Sequence, residues 1–358
     1  MAAARNGTRP KSDIAVLLAD GDFRRVWGGG ALLGVARWLE TLAVGIFVID
    51  LTGSAAAVAA VSFMRMLPLL ILGAVAGTLA GRFSRRALLL SGAGVTGLFA
   101  LLLGLLALID AIAVWQIALG SVLVGVLWTA DFPIRRTLLA DIAGQERITA
   151  AMALDSMTNH ITRLFGAALG GLLLGAVGLA GTYLLGAAIY GVVIVLLWRV
   201  RRGDVPGSGY HRNLLADTLG GLRVVASERF LVAVLAGTVI FNFFGFACTS
   251  MVPVIGRTTL QVDSFAIGLL VSTEAAASLI VTLVFAAVAP RRGLGAIYVL
   301  GVLAFMAGLL IFALSINYWL SLAFMIVTGA AWGAFSVTQS TLVLLVSSPA
   351  LRPRAMGA

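Results

Sequence analysis

Five ionisable residues stand inside otherwise apolar stretches of this chain: Arg37, Glu40, Arg65, Arg163 and Glu274. An ionised side chain at the centre of a bilayer costs at least ~2.5–3.5 kcal/mol, so residues placed this way face a partner or a hydrated path. Arg37 and Glu40 are three apart, neighbours on one helical face and able to form an ion pair. Arg25 precedes Arg37 by about 18 Å of helical rise, too far for the Arg37 side chain to reach back to water. Two readings follow for this group, an internal salt bridge that also serves Arg65 or Arg163, and the lining of a hydrated solute path. Arg65 and Arg163 suit an anionic ligand or a carboxylate partner such as Glu40. Asn159, one turn before Arg163, extends its polar stripe. Glu274 has no basic residue within two turns of its own helix, and an unpaired carboxyl in a low-dielectric site can exchange protons near neutral pH. It is the first candidate for a proton carrier and Glu40 the second; the alternative is a carboxyl that is simply neutral and hydrogen-bonded.

Bond-making chemistry has little to work with. Cys248 is the single cysteine, and His160 and His211 lie far apart, so neither a disulfide nor a metal-ligand cluster is expected, and no cofactor. No G-x-x-x-x-G-K-[ST] phosphate loop occurs. A membrane-embedded lipid-modifying enzyme would need a nucleophile with its base near one interface, and no such pair stands out. Asp131 beside Arg135 and Arg136 reads as an interfacial ion pair. Trp115, Tyr318 and Trp319 fit an aromatic belt, while Phe243, Phe244 and Trp332 either pack or line an apolar pocket.

The elements that carry these residues are long apolar runs. Hydrophobic residues make up 61% of the 358 positions and charged residues 11%, with mean hydropathy +1.07. A soluble domain carries roughly 25% charged residues. Runs fall near 26–49, 55–80, 87–109, 112–130, 156–177, 180–198, 230–251, 265–289, 294–314 and 318–346, each long enough to cross a bilayer. Lipid leaves only helices or closed barrels, and runs without alternation exclude the barrel. The expectation is an all-α membrane protein.

The net charge of +10 does not indicate nucleic acid, because the arginines gather in short connections on alternate sides of the runs. Arg24, Arg25, Arg82, Arg85, Arg86, Arg135, Arg136, Arg199, Arg291 and Arg352 lie on one side. The other side has Asp50, Asp110, Asp263 and a single arginine, Arg257. The positive-inside rule then places both termini in the cytoplasm of a multi-pass cell-membrane protein. Residues 1–22 read as a cytoplasmic tail, 23–198 as a six-helix bundle, 199–229 as a cytoplasmic central loop and 230–358 as a second bundle of four helices.

A shift of 204 residues lays the tenth run on the fourth without a gap. Gly125 meets Gly329, Trp128 meets Trp332, Thr137 and Leu138 meet Thr341 and Leu342, and Ala151 and Met152 meet Ala355 and Met356. Transporter halves are often such repeats. At this offset the second half stops where a fifth helix would begin, so the expectation is ten of twelve helices and a truncated second bundle.

The opening FRRVW, the entry LTGSAAAVAAVSFMRMLP to the second run, and ALGGLLL in the fifth resemble the major facilitator superfamily, in the branch of the enterobactin exporter and macrolide-efflux proteins. DFPIRRTLLADIAGQERITAAMAL then reads as the loop between the fourth and fifth helices, and SPALRPRAMGA as its counterpart in the second half. The resemblance implies two pseudo-repeated helical bundles around a central cavity. It also implies a monomeric, proton-coupled exporter of an amphipathic small molecule (a drug, macrolide or siderophore). A truncated, inactive or partner-dependent transporter is the alternative. Arginine at the places of Arg65 and Arg163 is common in that branch. The family's G-x-L-A-D-R-x-G-R-[KR] signature is present as Gly77, Leu79, Ala80, Gly81, Arg82, Arg85 and Arg86, with Gly81 where the aspartate belongs and Ser84 for the second glycine. These residues form a gating loop or only an orientation signal. Gly166, Gly170 and Gly171 resemble an antiporter signature with Ala167 for its proline, and glycines four apart also serve close helix packing.

Overall fold

The computed structural model describes residues 13–82, 84–144, 146–201, 229–288 and 293–346. The side chains of 70, 73–82, 149, 229–231, 235, 243, 244, 246–248, 286, 287, 340, 341 and 343–346 lie outside that description. Among the described residues there are eleven helices and no strand. In chain order they are α1 (Asp13–Ala19), α2 (Gly21–Thr52), α3 (Ala55–Arg82), α4 (Arg85–Leu108), α5 (Val114–Ala143) and α6 (Ile148–Trp198). There follow α7 (Arg229–Ser250), α8 (Val252–Thr258), α9 (Ser264–Val288), α10 (Leu294–Leu314) and α11 (Tyr318–Val346).

The ten apolar runs are present in nine of these helices, because α6 contains two. Its 51 residues break at Gly178, with φ 66 and ψ −172, a conformation open to glycine and costly for other residues. Seven helices, α6 among them, are long and apolar enough to cross a membrane. The 28 residues of α3 and the 22 of α7 are of spanning length too.

Three boundaries differ from the sequence expectation. Part of the supposed tail is the short helix α1, whose Leu17 is buried in the core of the first half, and Asp20 caps α2 by accepting from the amides of Asp22 (2.9 Å) and Phe23 (3.1 Å). The region from 131 to 154, expected as a loop, is mostly helix: α5 continues through Pro133 to Ala143 and α6 starts at Ile148. The continuation is amphipathic, with Ile134, Leu138 and Leu139 at most 1% exposed, so burial extends the helix beyond its purely apolar part. After α7 the separate helix α8 begins at Val252, with Pro253 in its first turn, and carries Arg257. Most of the expected central loop lies outside the described residues.

The core falls into three apolar clusters. One is drawn from α1 to α6 with Val254 of α8, and a second from α7, α10 and α11. The third joins the halves: Leu42, Ile46 and Ala167 pack with Val252, Ile267, Leu270 and Val271. The repeat is visible in a close approach. A Cβ on Gly125 would overlap the carbonyl oxygen of Arg65, and one on Gly329 would overlap that of Glu274. The two glycines matched by the 204-residue shift thus seat α5 on α3 and α11 on α9 at equivalent points.

Candidate functional site

The centre of the contact between the halves is charged. Arg163, on α6, donates its Nη2 to Oε2 of Glu274, on α9, and both side chains are buried. The expectation of an unpaired Glu274 is therefore corrected: its partner is 111 residues away and invisible to any count along its own helix. The Arg163 guanidinium also lies over two indole rings, 5.1 Å from the centroid of Trp38 and 4.9 Å from that of Trp332. Cation–π contacts of this kind contribute about 0.5–2 kcal/mol, more where water is excluded. Arg163 Nε, Trp38 Nε1 and Glu274 Oε1 are buried without a hydrogen-bond partner. The cluster thus holds two buried donors and one buried acceptor that no described protein group satisfies.

Glycine sets how closely the helices carrying this cluster approach. A Cβ on Gly166 would lie 2.8 Å from Cβ of Trp38, and one on Gly170 would lie 2.9 Å from the Leu39 carbonyl oxygen, so both admit α2. Gly171 faces the other way, where a Cβ would overlap the Ser264 carbonyl oxygen of α9. Ser272 Oγ donates to the Leu164 carbonyl (2.7 Å), a second polar link between the halves beside the ion pair.

The remaining sequence candidates lie elsewhere. Arg37 and Glu40 do not pair; among the described residues no ion pair joins them. Three residues of helix leave their side chains about 60° apart, and here they diverge. The Arg37 guanidinium lies 5.1 Å from the Trp128 ring centroid, beside Asp131 and Arg135. The Glu40 carboxyl points into the first half, where a Cβ on Gly186 would lie 3.0 Å from its Oε1. Arg65 donates to Thr41 Oγ1 (2.6 Å) and lines the same cavity as Glu40. Asn159 is exposed, and only its backbone carbonyl, accepting from Thr162 Oγ1 at 3.1 Å, enters the described hydrogen bonds.

Arg85 pairs with Asp141 of α5, and Arg86 donates to the carbonyls of Leu197 (3.0 Å) and Trp198 at the end of α6. Both ties are internal to the first half. Ser84 explains its departure from glycine by capping α4, accepting from the Ala87 amide (3.1 Å). The side chains at Gly77, Gly81 and Arg82 lie outside the described ones, as do those of Phe243 and Phe244.

Two ionic links, besides the indole of Trp38, are not visible in the sequence. Asp155 is buried and accepts from both Arg135 and Arg136 (Nε at 2.9 Å), while Arg135 also reaches Asp131 (3.2 Å). Arg257, counted only as the exception to an orientation rule, pairs across the halves with Asp50 at 2.9 Å and donates to Ser264 Oγ at 2.9 Å. The third apolar cluster and the Asp50–Arg257 pair both lie on one side of Arg163–Glu274. At the opposite end, among the described residues, no ion pair or side-chain hydrogen bond joins the halves.

A family model described as a transmembrane secretion effector of the major facilitator superfamily matches residues 13–357. The chain belongs to that superfamily. As a member of it, the chain is a membrane transporter and not an enzyme. It is 24% identical over 284 residues to a staphyloferrin A transporter of Staphylococcus aureus (strain NCTC 8325 / PS 47), covering 78% of this chain and 70% of that protein. Among solved structures of the same fold, a bacterial homologue of the human lysosomal transporter Spinster, inward-facing and unoccupied, superposes with TM-score 0.73 at 16% identity, covering 98% of this chain and 78% of that one. A nucleoside transporter superposes with TM-score 0.73 at 15% identity, over 94% and 86% of the two chains. A D-xylose-proton symporter gives 0.66 at 14% identity, over 96% and 85%.

Proposed function

We propose that this facilitator is a secondary active, proton-coupled exporter of an amphipathic small molecule, working as a monomer by alternating access in the cell membrane. The single observation that carries the reading is the Arg163–Glu274 pair, which joins the halves at mid-depth between two indole rings. A ligand that enters between the halves meets the open valences of Arg163, Trp38 and Glu274. Ionised Glu274 offers its open oxygen to a donor group of a ligand bound from the cytoplasm. A proton taken up from outside removes that acceptor and expels the ligand, and loss of the proton to the cytoplasm readies the site again. Antiport thus follows from one carboxylate for which ligand and proton compete.

With the basic connections and both termini in the cytoplasm, the Asp50–Arg257 end faces outward. The units that rock are residues 23–198 and 230–358, with 199–229 between them on the cytoplasmic side. Within the class of drugs, macrolides and siderophores, the likeness to a staphyloferrin A transporter supports a siderophore.

Proteoliposomes with a pH-sensitive dye inside test this. Addition of a substrate from a panel of drugs, macrolides and siderophores should move protons through the wild type and not through Glu274→Gln. No flux with any compound would sink the antiport reading, and normal flux in the variant would remove Glu274 from it.

A further inference from the structure

The two halves each enclose a small internal cavity, and the two cavities are the same one repeated. The first is lined by Glu40, Arg65, Phe99, Leu103, Ser121 and Val124, with Thr96 and Tyr183. The second is lined by Thr249, Glu274, Phe305, Leu309, Met325 and Thr328. Phe99 and Leu103 of α4 correspond to Phe305 and Leu309 of α10 in order and spacing. Ser121 and Val124 of α5 correspond to Met325 and Thr328 of α11 at the 204-residue shift. Their polar contents differ. In the second cavity Thr249 donates to the Gly245 carbonyl (2.8 Å), Thr328 to that of Met325 (3.0 Å), and Arg163 takes one oxygen of Glu274 across the interface, leaving only its Oε1 open. In the first, Glu40 Oε1 and Ser121 Oγ are both without a partner, each in a residue only 2% exposed.

Two unpartnered buried oxygens on one cavity wall are costly unless something bridges them. Arg65 lines the same cavity, and its fixed positive charge disfavours a metal cation there. The hydroxyls of Thr96, Ser121 and Tyr183 can each donate or accept, the setting in which buried water is held. We propose that the cavity of the first half is a hydrated proton site, in which water bridges Glu40 to Ser121 and the Glu40 carboxyl gains and loses a proton inside the bundle, apart from the substrate cluster. Charged and titratable groups face Glu40 from every side where they could act: Arg37 on its own helix, Arg65 from α3, and Tyr183 and Tyr190 from α6. Asp131 and Arg135 of α5 reach it through Arg37, while α4 offers only Thr96 and apolar side chains. Coupling runs along α2, because Trp38, two residues from Glu40, carries the indole that lies against Arg163. The site deepens the proton-coupled reading above and rests on it for its use in transport, although the protonation itself can be read separately.

Infrared difference spectra of the purified chain in lipid vesicles, recorded across a pH series in H2O and D2O, decide the matter. A carboxylic-acid carbonyl band should fade as pH rises, shift in D2O, persist in Glu274→Gln and vanish in Glu40→Gln. Ser121→Ala, a smaller change that leaves the carboxyl in place, should move both the band's frequency and its pH midpoint, and serves even where Glu40→Gln does not fold. An unchanged set of bands in Glu40→Gln, or an unchanged frequency and midpoint in Ser121→Ala, would overturn the proposal. A band that behaves as expected in a chain showing no proton flux would retain the site and reject the antiport reading instead.

Discussion

Asp50 and Arg257 meet across the two halves through Oδ1 and Nε at 2.9 Å, at the last turn of α2 and on the short helix α8. The pair is partly exposed, and ion pairs in such places are worth about 0.2–1 kcal/mol. That is small for stability, but enough to alter the ratio of two conformers by up to about fivefold. Replacing Asp50 by Asn or Arg257 by Gln should therefore favour opening at this end while leaving the melting temperature nearly unchanged. Spin-label distances between the outer ends of α2 and α9 would show it. The exchanged pair, Asp50→Arg with Arg257→Asp, should return the distribution toward wild type; an unaltered distribution in the single variants would show that the apolar cluster below alone holds this end.

The Arg163–Glu274 pair is a different case because it is buried. Removing one partner of a buried pair strands the other charge and costs about 3–5 kcal/mol, whereas removing both often costs little. Arg163→Gln or Glu274→Gln alone should lower thermal stability markedly in detergent, and the double variant should recover most of it. Transport should stay lost in the double variant. Arg163→Lys keeps the charge but not the planar guanidinium lying against Trp38 and Trp332, so it should bind substrate more weakly than wild type. Equal stability in all three variants would mean that the pair does not form.

The ions and the apolar runs were legible in the sequence because each is a local departure from composition. Glu274 is conspicuous in a helix of alanine and leucine whoever its partner is. The partner was not legible, since Arg163 and Glu274 meet only when α6 and α9 pack, and the glycines that permit this look like any small-residue face. Trp38 escaped notice for a related reason: an indole in an apolar run is ordinary, and its role depends on the guanidinium brought against it by α6. The extension of α5 past Pro133 was hidden by its charges. Arg135 and Arg136 look like loop residues until Asp155, from the start of α6, supplies their counter-charge. Local pattern sets where helices lie, and tertiary pairing decides which polar residues extend them.

Asp155 gives a further test. It is 2% exposed and accepts from two arginines, so Asp155→Asn leaves Arg135 and Arg136 with one shared acid fewer. A loss of about 3–5 kcal/mol is expected. The damage should centre on the junction of α5 and α6, read as faster amide exchange between residues 131 and 156. Asp141→Asn, whose partner Arg85 sits in a more exposed pair, should cost no more than about 1 kcal/mol. Similar effects from the two variants would show that Asp155 is a surface anchor and not a core residue.

Gly329 provides the sharpest steric test, because its only substitute for space is movement of a backbone. A Cβ there would overlap the carbonyl of Glu274 itself, so Gly329→Ala must push α11 from α9 and with it shift the carboxyl that holds Arg163. Overpacking of this kind costs about 1–3 kcal/mol. Gly125→Ala, its counterpart on Arg65, should be as damaging to stability while leaving the Arg163–Glu274 pair in place. Gly295→Ala, near the start of α10 with no atom within 4 Å of its added Cβ, should be neutral or slightly stabilising, since alanine favours a helix over glycine by about 1 kcal/mol. Melting curves rank the three, and proton flux separates the two destabilised ones: loss in Gly329→Ala exceeding that in Gly125→Ala is expected if the interface pair governs transport. Equal losses would place the governing charge in the first half instead.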